Sequence, residues 1–219
     1  DLEKKMAQAL TVDGEVVGQF QAAAKRHGMA ILMGSVHERI AGRTDKVHNT
    51  SIFIDELGEV RAVYRKLKLF NLDTPALKAL ESAQVVPGDV PPPVIDTTFG
   101  KLGLTICFDL RYPELYQHLR RNGAQVVFVP SNFTFPTGSA HWELLLRARA
   151  VENQVVIAAP AQTGQRSLTS RSWGHSMLVD PWGTVTACAP EGTGLTIGQI
   201  DLAAVERTRR ELPMGVVEG

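Results

Sequence analysis

Lys101–Pro130 reads KLGLTICFDLRYPELYQHLRRNGAQVVFVP, and its three parts decide the fold class. KLGLTICF is apolar and β-branched, the composition of a strand that ends at Cys107. Asp109–Arg121 is predicted to be a helix, with Pro113 tolerated in a first turn where its missing N–H has no intrahelical partner to lose. AQVVFVP, Ala124–Pro130, is apolar at every position but Gln125, as suits a strand covered on both faces. Strand, helix and buried strand in succession form the unit of a parallel α/β sheet.

The same alternation extends in both directions. Upstream, Glu15–His27 carries apolar residues at helical spacing and is closed by Gly28; Met29–Val36 (MAILMGSV) then reads as a strand. Val47–Ile54 and Val60–Leu69 are predicted strands joined by a turn at Glu56–Glu59, and VIDTTF with Gly100 and KLGLTICF suggests a further hairpin. Leu72–Pro93 shows neither period, and long excursions of that kind often line a site. Downstream, SNFTFPTGS reads as a loop, Ala140–Glu152 as a helix and Gln154–Pro160 as a strand. HSMLVDPWGTVTAC is a hairpin turning at Asp180–Gly183; Leu195–Ile200 is one more strand and Leu202–Leu212 a closing helix. Roughly ten strand candidates, with helices between only some, exceed what one doubly wound sheet accommodates. The fold expected is α/β, a four-layer αββα sandwich of two stacked mixed sheets, in one domain over residues 1–219.

Bulk composition excludes several classes. Lysine plus arginine is 23 and aspartate plus glutamate 23, so no global field favours nucleic acid or an anionic membrane. The chain has no apolar run of transmembrane length. Two cysteines, Cys107 and Cys188, are too few for a disulfide framework and suit a reducing compartment. There is no CxxC pair, the histidines lack zinc spacing, and no Gly-rich phosphate loop opens a helix; neither metal nor cofactor is expected.

Cys107 is placed where a strand turns into a helix, the position at which open α/β sheets expose ligand-binding groups and a helix N-terminus favours a thiolate. Cys188, inside a hairpin strand, reads as structural. Alternation in AVYRKLKLF puts Val63, Arg65, Leu67 and Leu69 on one face and Tyr64, Lys66, Lys68 and Phe70 on the other. Lys66 among such neighbours is either a desolvated electrostatic stabiliser or an edge-strand charge. Glu143, Asp109, Glu114 and Arg111 near predicted helix starts are each open to a purely local helical role.

Three blocks resemble the nitrilase superfamily: YRKLKLF its lysine motif, GLTICFDLRYPEL its cysteine motif and HWELLLRARAVEN its accessory-glutamate helix. MGSVHER, Glu81-Ser82, Pro87-Gly88 and GHSMLVDPWGTV further resemble its Nit branch, from about Val16 to Pro213. The resemblance implies a carbon–nitrogen hydrolase domain that cleaves a small linear amide, such as the ω-amide of a keto acid like deaminated glutathione, through a thioester. It implies Cys107 as nucleophile, Lys66 with the backbone N–H after the cysteine as oxyanion holder, and Glu143 as the carboxylate orienting lysine and water. Arg111 and Phe108 border the pocket, with Arg111 expected to meet a substrate carboxylate. A homodimer in the cytoplasm or mitochondrion is expected. Lys68 stands where the family usually has histidine. Nothing before Val16 matches the family's first strand and its Pro-Glu segment, so the sandwich is expected to be incomplete at its N-terminus and the general-base glutamate to be missing. Related ω-amidase or N-carbamoyl hydrolase activity, or a non-catalytic scaffold, are the alternatives.

Overall fold

The computed structural model describes residues 2–74, 77–167 and 170–215. The chain divides into two compact units, Asp1–Pro91 and Pro92–Gly219. Their boundary falls in PGDVPPP, whose prolines cannot continue a ladder.

The first unit opens with helix α1 (Leu2–Gln8) and α2 (Glu15–His27). Gly28 ends α2 in the left-handed region at φ 57°, which a Cβ would disfavour. Strands β1 (Ile31–Arg39), β2 (Val47–Ile54) and β3 (Val60–Arg65) form an antiparallel sheet in that order. Val17 and Ala24 of α2 pack on Met33, Ile52 and Ile54, so one face of the sheet is covered by the helix whose periodicity predicts it. The ladders of this sheet are antiparallel, and isolated parallel bridges join Leu10 to Glu38 and Val47 to Val85 at its margins. β3 ends at Arg65, four residues short of the expected Leu69. Leu72–Pro93 is not featureless: β4 (Asn71–Thr74) pairs with β5 (Leu77–Leu80), and a 3-10 turn follows at Glu81–Ala83.

The second unit carries a six-stranded mixed sheet. In chain order its elements are β6 (Val94–Thr97), β7 (Gly100–Leu104), a 3-10 helix (Cys107–Arg111), α3 (Pro113–Arg121), β8 (Val126–Phe128), α4 (Phe135–Asn153) and β9 (Val156–Ala159). Then come β10 (Thr163–Ser167), β11 (Ser170–Trp173), β12 (Met177–Val179), β13 (Val185–Cys188) and α5 (Leu202–Glu211). The order is β13-β12-β9-β8-β7-β6, with β7, β8 and β9 parallel and the outer strands antiparallel. The parallel core is therefore the unit read from Lys101–Pro130 and its repeat through α4.

Three boundaries differ from the sequence reading for identifiable reasons. The helix expected over Asp109–Arg121 is broken at Tyr112, which is extended at φ −112° and ψ 93° because the proline that follows clashes with helical backbone. α4 begins at Phe135 rather than Ala140, since Pro136 lies in the first turn and costs no hydrogen bond there. Leu195–Ile200 is not a strand: it has no ladder partner among the described residues, and Leu195 is 93% exposed.

Candidate active site

Cys107 owes its setting to the end of the parallel core. Beyond β7 the chain still runs beside β8, with the Thr105 N–H donating to Phe128 O and the Cys107 N–H to Pro130 O at 3.0 Å each. It then turns sharply, and Cys107 adopts φ 49°, a left-handed conformation that costs a β-carbon-bearing residue free energy. The buried Asp109 holds the turn, its Oδ2 accepting from the Ile106 N–H at 2.9 Å. Asp109 is thus a clamp on the backbone that leads into Cys107 rather than only a favourable helix-start charge. Arg149, buried in α4, donates from Nε to Leu110 O at 3.0 Å and lies over the Tyr116 ring, fixing the same segment from behind. The Cys107 thiol is partly exposed and lies 3.9 Å from Asn132 O.

Arg111 follows in this segment. Its guanidinium carbon lies 5.7 Å from the Phe108 ring centre and 5.4 Å from that of Phe133. Burial lowers its pKa, opposed by the charge Cys107 would carry when ionised. The structure therefore brings together Cys107, Phe108 and Arg111.

Lys66 lies one residue past β3 in the first unit and is 3% exposed. Its backbone is gripped from both sides, the N–H donating to Asn49 O at 2.8 Å and the carbonyl accepting from the Gly88 N–H at 2.9 Å. That second approach demands glycine, because a Cβ on Gly88 would sit 2.3 Å from Arg65 O. Lys66 Nζ donates to Glu81 Oε2 at 2.6 Å, and the same oxygen accepts the Phe70 N–H at 2.6 Å while Oε1 accepts from the Asn49 amide at 3.2 Å. Burial alone would raise the Glu81 carboxyl; the Lys66 charge and these hydrogen bonds outweigh it and hold the carboxyl below its usual range. Arg65 points to the opposite face, as alternation predicts, and makes a bidentate pair with Glu38 at 2.6 and 2.8 Å. A cavity of about 620 Å³ in this unit is lined by Glu38, Arg39, Arg43 and Arg65, and by neither Lys66 nor Glu81.

Glu143 occupies a different environment from the one expected. Because α4 starts at Phe135, Glu143 is well inside the helix rather than in its first turn. Its half-exposed side chain pairs with Arg147, one turn on, at 3.3 Å. The carboxylate bonded to Lys66 belongs to Glu81. The sequence offered a signal for it only as the Glu81-Ser82 element of the family resemblance, in a stretch without strand or helix periodicity. Cys188, read as structural, is exposed at the end of β13. Among the described residues no group of three or more His, Cys, Asp or Glu side chains could hold a metal ion, and no helix is long and apolar enough to cross a membrane.

The carbon-nitrogen hydrolase family matches residues 1–210. A deaminated glutathione amidase of Rattus norvegicus is 42% identical over 206 residues, covering 93% of this chain and 63% of that protein. The crystal structure of the Caenorhabditis elegans NitFhit protein superposes with TM-score 0.89 at 40% identity, over 97% of this chain and 51% of that one. Saccharomyces cerevisiae Nit3, a member of branch 10 of the nitrilase superfamily, gives TM-score 0.85 at 32% identity, over 98% of this chain and 76% of the yeast chain. These likenesses agree with the α/β class and the sandwich fold expected from the strand count. The chain spans under two thirds of the length of the rat relative.

Proposed function

The chain belongs to the carbon-nitrogen hydrolase family of the nitrilase superfamily, and we propose that it carries the nucleophile and oxyanion cation of an amidase acting on a small linear amide that bears a carboxylate. The observation that carries the reading is Cys107 held at φ 49° where the parallel core turns into a helical segment. Strain of this kind persists where the surroundings over-determine it, and here Asp109 and Arg149 do so.

In this reading the Cys107 thiolate attacks the amide carbon and forms a C–S bond. The carbonyl oxygen takes up negative charge, whose stabilisation the family resemblance assigns to Lys66 and to the backbone N–H following the cysteine. Collapse breaks the C–N bond, and the amine leaves with a proton delivered by a carboxylic acid, a role the family resemblance assigns to a glutamate of a Pro-Glu segment. Water then cleaves the thioester, releasing the acid and restoring the thiol. Glu81, committed to Lys66 by a 2.6 Å ion pair, keeps that ammonium in place rather than carrying protons. Arg111 receives the substrate carboxylate, which favours ω-amides of short keto acids such as deaminated glutathione.

The test is turnover by the full-length protein and its Cys107→Ser and Lys66→Met variants on an ω-amide of a keto acid. Loss of at least about 10³-fold in kcat for the serine variant and about 10²-fold for the methionine variant is expected. Undiminished turnover in either would overturn its assigned role.

A further inference from the structure

Arg111 is poised as an anion receptor but does not hold itself there. It has five N–H donors and no acceptor. Among the described residues none of those donors meets a carboxylate, and the one hydrogen bond it makes runs from Nη2 to Nδ1 of His141 at 3.3 Å. Because guanidinium can only donate, the geometry requires Nδ1 of His141 to carry no proton. The imidazole is itself carried on a fixed support. The next residue, Trp142, is fully buried, donates from Nε1 to His175 O at 2.8 Å, and packs on Phe133 at 5.0 Å between ring centres. Phe133 is also one of the two rings flanking the Arg111 guanidinium.

We infer that His141 is a positioning residue for substrate charge: its Nδ1 holds Arg111 between Phe108 and Phe133, so that the remaining guanidinium donors are offered to the substrate's carboxylate. This rests on the reading that Arg111 receives that carboxylate. A free arginine side chain loses rotamer entropy when it binds an anion, and a hydrogen bond made in advance removes part of that loss. The contribution falls on anion recognition, not on the bond-making atoms, so it is read in KM. The class of substrate it selects is a short-chain amide with a carboxylate, against the neutral amide of the same length.

The experiment measures kcat and KM of the full-length protein on a keto-acid ω-amide and on a neutral amide of matched length, for wild type, Arg111→Ala, His141→Ala and His141→Asn. Asparagine can place its Oδ1 where Nδ1 stood and accept the same N–H. His141→Ala should raise KM for the charged amide about tenfold, the size of one hydrogen bond to an ion, while moving kcat and the neutral-amide KM less than about twofold. His141→Asn should recover most of the difference. If Arg111→Ala discriminates between the two amides and His141→Ala does not, or if asparagine is no better than alanine, the positioning role is wrong and the carboxylate reading stands. If Arg111→Ala fails to discriminate, the carboxylate reading itself is wrong, and the inference with it.

Discussion

Replacing Glu81 by glutamine isolates the ion pair on which Lys66 depends. Glutamine keeps the size and one carbonyl oxygen, which would turn towards Nζ of Lys66 and the Phe70 N–H, since the alternative points an NH₂ at an ammonium. What is lost is the negative charge facing a lysine that is 3% exposed. Breaking one side of such a buried pair costs about 3–5 kcal/mol, a large share of the roughly 5–15 kcal/mol that holds a domain folded. The expected loss lies in that range by urea denaturation at neutral pH, with kcat falling up to about 10²-fold as Lys66, the proposed oxyanion cation, loses its seat. The pH dependence has a defined sign. The folded Glu81 carboxyl is held below its unfolded value, so its contribution is complete above about pH 4.3 and disappears as pH falls through the lower folded value. The stability gap between wild type and Glu81→Gln should accordingly close in acid. Glu143→Gln is the control: its exposed pair with Arg147 is worth no more than about 0.5 kcal/mol. A Glu81→Gln cost below about 1 kcal/mol, or one matched by Glu143→Gln, would refute the assignment, because a charge truly buried against Lys66 cannot be removed so cheaply.

Iodoacetamide should label Cys107 before Cys188 although Cys188 is the more exposed, because burial first and then the charge of Glu143 push the Cys188 thiol up and deplete its thiolate; peptide mapping that finds Cys188 labelled first contradicts this. Gly138→Ala should destabilise by about 1–3 kcal/mol, since the new Cβ would meet the Trp173 side chain at 2.3 Å; a thermal midpoint equal to wild type would show that β11 yields more easily than its packing implies. Asp109→Asn leaves a neutral acceptor for the Ile106 N–H and should slow alkylation of Cys107 while preserving the fold by circular dichroism. Unchanged alkylation would mean that Asp109 does not set the conformation of the thiol.

Much of the molecule is legible where apolar periodicity and turn chemistry agree. α2, with Gly28 closing it, and the hairpin at Asp180–Gly183 fall where the residues place them, Asp180 Oδ1 accepting the Trp182 and Thr184 N–H groups. The sequence misleads where a proline has two readings: Pro113 splits a helix that periodicity would join, while Pro136 opens one that a loop-like stretch conceals. The β10–β11 hairpin leaves no pattern because TGQRS and SRSW are largely polar and mostly solvent-facing. Leu195–Ile200 has strand-like composition, but composition supplies no ladder partner. Among the candidate residues, the strand-end position of Cys107 and the opposed faces of Arg65 and Lys66 follow from local geometry. Glu81 does not, because its pairing with Lys66 spans 15 residues through a segment without period.

The central claim is that Cys107 becomes acylated during amide cleavage. Its most direct measurement is rapid acid quench of the full-length protein during turnover of a keto-acid ω-amide, followed by mass mapping of both cysteine-containing peptides. The expected result is the acyl mass on the peptide carrying Cys107, present during turnover, discharged by hydroxylamine, and absent from Cys188 and from the Cys107→Ser variant. Continued turnover by Cys107→Ser, or an acyl group found on any other residue, would contradict it.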